Sequence, residues 1–133
     1  LQTGIPLAVR GANNRAADRP DTIGNPELPA DERTVNRWFN TSAFVQPPLF
    51  TYGNTARTLP NVRAPGMANV DFSIFKSFRF SEQWRLQFRT EFFNLFNRVN
   101  LGLPNTSFTA GGFGAITTAG LGRRAQFGLK LVF

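Results

Sequence analysis

Three segments in the second half of the chain alternate between apolar and polar residues. Apolar side chains take every second position in them: Val70, Phe72, Ile74, Phe78 and Phe80, then Trp84, Leu86, Phe88 and Phe92, then Ala125, Phe127, Leu129, Leu131 and Phe133. A period of two is typical of a β-strand with one apolar face. We therefore predict strands at about 69–80, 84–96 and 123–133. Each is long enough to cross a bilayer at a tilt, which takes about 9–11 residues.

The middle segment also fits a helix. On a helical wheel, one side of 84–99 collects six large apolar residues: Trp84, Phe88, Phe92, Leu95, Phe96 and Val99. Periodicity alone therefore leaves helix and strand open for this segment. We predict a strand because both neighbouring segments alternate cleanly. The three residues 81–83 between the first two segments also suit a hairpin connection.

Charged residues occupy the opposite row of the same three segments. They are Asp71, Arg79, Arg85, Arg89, Glu91, Arg124 and Lys130. Lys76 is the exception, because it shares its parity with Phe72, Ile74 and Phe78. Two explanations stay open for it: the side chain extends along the apolar surface to reach water, or a β-bulge near Phe75 shifts the register and places Phe75 in the apolar row.

Two architectures produce such alternation: a half-buried sheet of a soluble domain, or the wall of a membrane barrel. Three features favour the barrel. Aromatic residues gather near the strand ends, as in the aromatic girdles of outer-membrane barrels: Phe78, Phe80, Trp84 and Phe133. The connection 81–83 is short, whereas 97–122 and 10–68 are long, and barrels have short turns on one side and long loops on the other. The last alternating segment also runs to the final residue.

The expected fold is all-β, an antiparallel meander forming the last strands of a large transmembrane β-barrel with long extracellular loops. The row expected to face lipid is Val70, Phe72, Ile74, Phe78, Phe80, Trp84, Leu86, Phe88 and Phe92. The row expected to face the lumen is Asp71, Arg79, Arg85, Arg89, Glu91, Arg124 and Lys130. With the last residue on the periplasmic side, 123–133 descends, 84–96 ascends and 69–80 descends. The turn 81–83 is then periplasmic and the long loops are extracellular.

Proline divides the chain into two parts. All of the nine prolines except Pro104 precede residue 67, whereas most of the fifteen phenylalanines follow it. Proline removes a backbone donor and is disfavoured in central strands and helix interiors. We therefore predict that 1–9 is the outer end of an ascending strand and that 10–68 is a long extracellular loop. Residues 69–133 are expected to hold the barrel strands, with a second extracellular loop at 97–122.

Composition excludes most enzyme chemistry. The 133 residues include no histidine and no cysteine, so thiol nucleophiles, imidazole bases and nearly all zinc or haem sites are excluded. We expect no catalytic residue, no cofactor and no metal. Five acidic residues concentrate in the first loop, but their spacing is not that of an EF-hand, and a solvated loop is the better interpretation: Asp18, Asp21, Glu27, Asp31 and Glu32.

A net charge of +7 with many aromatics also raises the hypothesis of a single-stranded nucleic-acid binder. Such a site needs cations and stacking rings on one surface. In the predicted strands they lie on opposite faces, which argues against nucleic acid. A soluble, basic, β-rich binding module nevertheless remains an alternative, as do the closing strands of a passive porin-like barrel.

Several runs resemble the C-terminal end of TonB-dependent outer-membrane receptors. They are 69–78, 85–97 and 126–133, of which the middle one contains Phe92, Phe93, Asn94, Leu95, Phe96 and Asn97. The runs 37–44, 52–54 and 63–66 resemble the loop before those strands, and 2–7 resembles the outer end of the preceding strand. The most similar subgroup is the Oar-like one, which carries an N-terminal carboxypeptidase-regulatory-like domain.

The resemblance implies a Gram-negative outer-membrane receptor that imports an unidentified nutrient with energy delivered through TonB. Receptors of this kind form plugged barrels of about 22 strands. The chain would supply only the last strands and would not transport alone, since the smallest spanning barrels have about eight. The resemblance implies contacts with outer-membrane lipid and lipopolysaccharide, with the rest of the barrel and its plug, and with TonB through N-terminal parts absent here. It also implies an assembly signal read by the barrel-assembly machinery, at Phe127, Leu129, Leu131 and Phe133.

Overall fold

The computed structural model describes residues 1–15 and 18–133, and its regular structure consists of short and long β-strands with two single-turn 3-10 helices. The strands are β1 (Pro6–Leu7), β2 (Asp21–Thr22), β3 (Phe44–Val45), β4 (Leu59–Arg63), β5 (Phe72–Arg79), β6 (Arg85–Phe93) and β7 (Arg124–Val132). The 3-10 helices are Ala12–Asn14 and Thr41–Ala43. Across the described residues, no helix combines the length and the apolar character needed to pass through a membrane.

Two compact units make up the chain. The strand unit comprises 67–100 and 120–133 together with Leu1, and the loop unit comprises 2–66 and 101–119. The strand unit holds the three long strands β5, β6 and β7, which carry the alternating pattern. The loop unit holds the four short ones.

The strand unit is an antiparallel meander in the order β5-β6-β7. The register between β5 and β6 runs without interruption from Phe72 opposite Phe92 to Arg79 opposite Arg85. The segment at Arg85–Phe93 is therefore a strand. This pairing excludes the helix that periodicity had left open. The β-bulge considered near Phe75 is absent, because all eight residues of β5 pair in sequence.

A tight hairpin joins β5 to β6. The backbone N–H of Phe80 donates to the carbonyl of Trp84 at 3.0 Å, so that 81–83 form a three-residue connection. The register between β6 and β7 is equally regular, from Arg85 opposite Val132 to Phe93 opposite Arg124. Residues directly opposite each other share a face of the sheet, so the apolar rows of all three strands coincide.

The loop unit has a hydrophobic core of its own, which the sequence pattern did not predict. Two antiparallel pairs, β1 with β4 and β2 with β3, frame it. The buried cluster consists of Leu7, Val9, Phe39, Ala43, Phe44, Leu59, Val62 and Ala64. The range 10–68 that we predicted as one long loop thus contains three short strands, and within 1–9 only Pro6–Leu7 is strand.

Candidate functional site

The apolar face of the β5-β6-β7 sheet is the first candidate surface. Its central rows are Ile74 with Thr90 and Phe127, then Lys76 with Phe88 and Leu129. Phe127 and Leu129 are 67% and 70% exposed, and the buried hydrophobic cluster lies entirely in the loop unit. A contiguous exposed apolar surface of this kind is typical of a membrane or protein contact, because in water it is unfavourable.

Aromatic side chains mark the end of this face near the 81–83 hairpin. The rings of Trp84 and Phe133 stack with centroids 5.5 Å apart and an interplanar angle of 28°. Phe78 and Phe80 lie at the same end and remain 45% and 69% exposed. Across the sheet, Phe92 meets Phe127 edge-on at 6.3 Å. The predicted aromatic rim thus lies where β5, β6 and β7 end beside the hairpin.

Lys76 lies within the apolar face, directly opposite Phe88. Its ammonium group lies 5.8 Å from the centroid of the Phe78 ring, which is one step nearer the hairpin on the same face. The cation therefore contacts an aromatic face and leans toward the hairpin end of the sheet. Because the register is uninterrupted, no bulge moves Lys76 to the other face. Of the two explanations for Lys76, the extended side chain is the one that the structure supports.

The opposite face is polar and strongly cationic. Arg79 and Arg85 stand directly opposite each other, and among the described residues neither takes part in an ion pair. Arg89 pairs with Glu91 and also places its guanidinium 5.0 Å from the centroid of the Phe75 ring. The remaining cations are Arg124, opposite Phe93, and Lys130, opposite Gln87.

The sequence profile of the outer membrane beta barrel domain family matches residues 1–126, which is nearly the whole chain. The chain belongs to this family. Comparison with the curated proteins and with the solved structures found no match. The all-β fold, the antiparallel meander and the exposed apolar face agree with an outer membrane β-barrel domain, whose place is the outer membrane. Family membership therefore favours a barrel wall over the soluble binding module.

The outer membrane β-barrel domain carries a second feature, an amide network at the end of the sheet away from the hairpin. Asn94, directly after β6, has φ +53° and is 5% exposed. Its side-chain amide donates to the carbonyl of Arg98 at 2.9 Å and to that of Leu121 at 3.2 Å. Its side-chain oxygen accepts the N–H of Arg98 at 2.9 Å. One buried side chain thereby joins the end of β6 to the segment leading into β7.

Three further polar side chains extend this network. Asp71 Oδ1 accepts the backbone N–H of Asn94 at 2.9 Å, so the residue assigned to the lumen row lies at the strand end. Asn97 Oδ1 accepts the N–H of Arg123, and Asn100 Oδ1 accepts the N–H of Ala68, both at 2.9 Å. Sequence reasoning missed these roles. The three-residue spacing of Asn94, Asn97 and Asn100 directly after an alternating strand was the signal available for finding them.

Two acidic residues of the loop unit have polar partners within that unit. Asp21 Oδ1 accepts the backbone N–H of Asn54 at 2.8 Å, and Glu27 pairs with Arg33 at 3.5 Å. Among residues 1–15 and 18–133, no group of three or more histidine, cysteine or acidic side chains is placed to hold a metal ion.

Proposed function

We propose that this outer membrane β-barrel domain forms part of the wall of a TonB-dependent receptor that imports a nutrient across the outer membrane of a Gram-negative bacterium. The observation that carries the membrane part of the proposal is the sheet with one exposed apolar face and one cationic face, held in unbroken register over β5, β6 and β7. The TonB part rests on the motif resemblance at 69–78, 85–97 and 126–133.

The apolar face is the one that contacts lipid in this proposal. Removing Phe127 and Leu129 from water is favourable by roughly 25 cal/mol per Å² of apolar surface. Placing the opposite face in hydrocarbon would instead desolvate Arg79, Arg85 and Lys130. Each lysine or arginine at the bilayer midplane costs roughly 2–4 kcal/mol. The free energy of insertion therefore favours the orientation in which the apolar face contacts lipid. The charged row then lines a wet interior.

The hairpin at 81–83 lies on the periplasmic side in this proposal. Barrels of this class have short periplasmic turns and long extracellular loops, and the connection between β6 and β7 is much the longer one. The loop unit is then extracellular. The row of Phe127, Leu129, Leu131 and Phe133 is available as the signal for the barrel-assembly machinery.

The three strands function only as part of a larger barrel. An open sheet in hydrocarbon leaves the backbone groups of β5 and β7 unpaired on their outer edges, at a cost of several kcal/mol for each group. The smallest spanning barrels use about eight strands, so β5, β6 and β7 require further strands for closure. We assign the domain a transport role and no catalytic one.

Conductance and partner binding separate the receptor from the passive porin. The full-length protein is reconstituted in a planar bilayer and, separately, mixed with the purified periplasmic domain of TonB. A receptor is expected to conduct little at rest and to retain the TonB domain during co-purification. Steady open-channel conductance without retention of TonB would contradict the receptor and favour the porin. A variant from which only the TonB-contacting segment has been deleted serves as the control for specific retention.

A further inference from the structure

A hollow of about 410 Å³ lies on the polar face of the strand unit. Two adjacent cross-strand rows surround it: Ser77, Gln87 and Lys130 in one, and Phe75, Arg89 and Gly128 in the other. The intervening strand positions complete its lining. Its volume is in the range of small-ligand sites, about 300–1,000 Å³.

Gly128 leaves the space above it open, although neither its backbone nor its packing requires glycine. A Cβ atom built at Gly128 would meet only Arg89, at 3.8 Å and 3.9 Å, which is ordinary contact, and its φ lies outside the left-handed range. Glycine inside a strand costs about 0.5–1 kcal/mol relative to alanine. Such a glycine often marks a place where a ligand or another backbone approaches closely. A side chain at Gly128 would instead fill part of the hollow.

The side chains around Gly128 define the chemistry of that ligand. Arg89 is occupied by Glu91 and by the Phe75 ring, so it forms part of the wall. Lys130 has no ion-pair partner among the described residues, and it shares its row with the polar groups of Ser77 and Gln87. The ring of Phe75 is 63% exposed although it stands in the polar row. One free cation, neighbouring hydrogen-bond donors and an exposed ring together favour an anionic group attached to a flat, apolar body.

We propose that the hollow over Gly128 binds a small solute that carries a carboxylate or phosphate group on a flat ring. The oxyanion lies against Lys130 and the polar groups of its row, and the ring lies beside Phe75 above the glycine. The inference rests on the proposed function in one respect, because the polar face must meet water and not lipid.

The test uses the purified full-length protein in detergent micelles and three probes: phenyl phosphate, inorganic phosphate and phenol. We expect saturable calorimetric binding of phenyl phosphate that is tighter than the binding of either other probe. Gly128→Leu fills the hollow and Lys130→Gln removes the cation, and each is expected to weaken binding by about tenfold or more. Lys130→Gln leaves the backbone untouched, so the proposal stays testable where Gly128→Leu disturbs folding.

Two controls match these variants. Gly111→Leu adds the same side chain at a glycine with no neighbour within 4 Å, and Arg124→Gln removes a cation from another row of the polar face. Both should bind phenyl phosphate as the unmodified protein does. Absence of saturable binding, or an equal loss in Arg124→Gln, overturns the proposal.

Orientation is measured separately so that the two proposals can fail independently. Single cysteines replace Gln126 and Phe127, which lie on opposite faces of β7. The protein is placed in vesicles, and a maleimide that does not enter lipid is applied after the vesicles have been permeabilised, so that it reaches the water on both sides of the membrane. Labelling at 126 and protection at 127 supports the proposed orientation. With that result in hand, a failed titration overturns only the binding site. The reverse labelling overturns the orientation on which the site depends.

Discussion

The side chain of Asn94 bonds both backbone groups of Arg98: its oxygen accepts the N–H and its amide donates to the carbonyl, each at 2.9 Å. Directly after β6 ends, the Asn94 side chain thus satisfies both backbone groups of Arg98, as the backbone of a neighbouring strand would. The left-handed backbone of Asn94 suits this role, because asparagine tolerates positive φ better than most other residues. A single side chain therefore ends the strand and orders the turn that follows.

Replacing this side chain should loosen the end of the sheet. Asn94→Ala removes the bonds to Arg98 and Leu121 at a buried position, and at about 1 kcal/mol for each bond the loss of unfolding free energy should be about 2–4 kcal/mol. Urea titration of the full-length barrel in lipid vesicles measures it. Asn36→Ala, at an exposed position of the loop unit, is the control and should change stability little. Equal stability of the two variants would show that the network is dispensable.

Adjacent positions on β5 should differ in how well they tolerate the same added charge. Ile74→Lys places a second ammonium on the apolar face, opposite Thr90, and should destabilise the barrel in a bilayer by roughly 2–4 kcal/mol. Ser73→Lys puts the same side chain on the polar face, opposite Glu91, and should be nearly neutral. Heat-modified electrophoretic mobility of the reconstituted protein reports the folded fraction. A larger loss in Ser73→Lys would reverse the assignment of the faces.

Lys76 should be a source of instability that depends on bilayer thickness. In a thick bilayer its ammonium must be desolvated or reach far toward the headgroups, so Lys76→Leu should raise the unfolding free energy by about 1–3 kcal/mol. In a thin bilayer the gain should shrink, because the side chain already leans toward the hairpin end over Phe78. Urea unfolding in vesicles of 12-carbon and 18-carbon lipids provides the comparison. A gain that does not change with thickness would contradict this account of Lys76.

Phe133 should matter more for assembly than a charged residue in the middle of the polar face. Phe133→Ala removes the ring stacked on Trp84 and one member of the proposed assembly signal, so less protein should reach the cell surface. Arg89→Ala removes a partly exposed ion pair, and pairs at the surface contribute about 0–1 kcal/mol. Protease shaving of whole cells measures surface protein. Equal surface amounts of both variants would argue against the assembly role of Phe133.

Two phenylalanines of the loop unit form a matched pair for testing its core. Phe39 is fully buried and meets the rings of Phe44 and Phe113 at 6.0 Å and 5.3 Å, whereas Phe50 is fully exposed. Phe39→Ala should destabilise the loop unit by about 3–5 kcal/mol, and Phe50→Ala should have almost no effect. Limited proteolysis of the folded barrel, read at sites within 2–66, measures the difference. Similar cleavage rates would mean that the core does not hold this unit together.

The sequence by itself determined the first and last strands of the strand unit. Alternation over Phe72–Arg79 and Arg124–Val132 predicted two long strands and separated an apolar row from a charged one, because a strand sends successive side chains to opposite faces. For Arg85–Phe93 the pattern left helix and strand open, and tertiary structure decided. Pairing on both sides gives β6 two ladders of backbone hydrogen bonds, which an isolated periodicity cannot reveal.

Only tertiary structure decided the loop unit and the fine geometry of the sheet. Leu7, Phe39, Val62 and Phe113 are too far apart in the sequence for any periodic pattern, so their common core exists only once the chain has folded. Lys76 could have been moved to the other face by a bulge, and unbroken pairing placed it among the phenylalanines. Local periodicity reports which way a side chain points, whereas its neighbours depend on contacts that the sequence order does not contain.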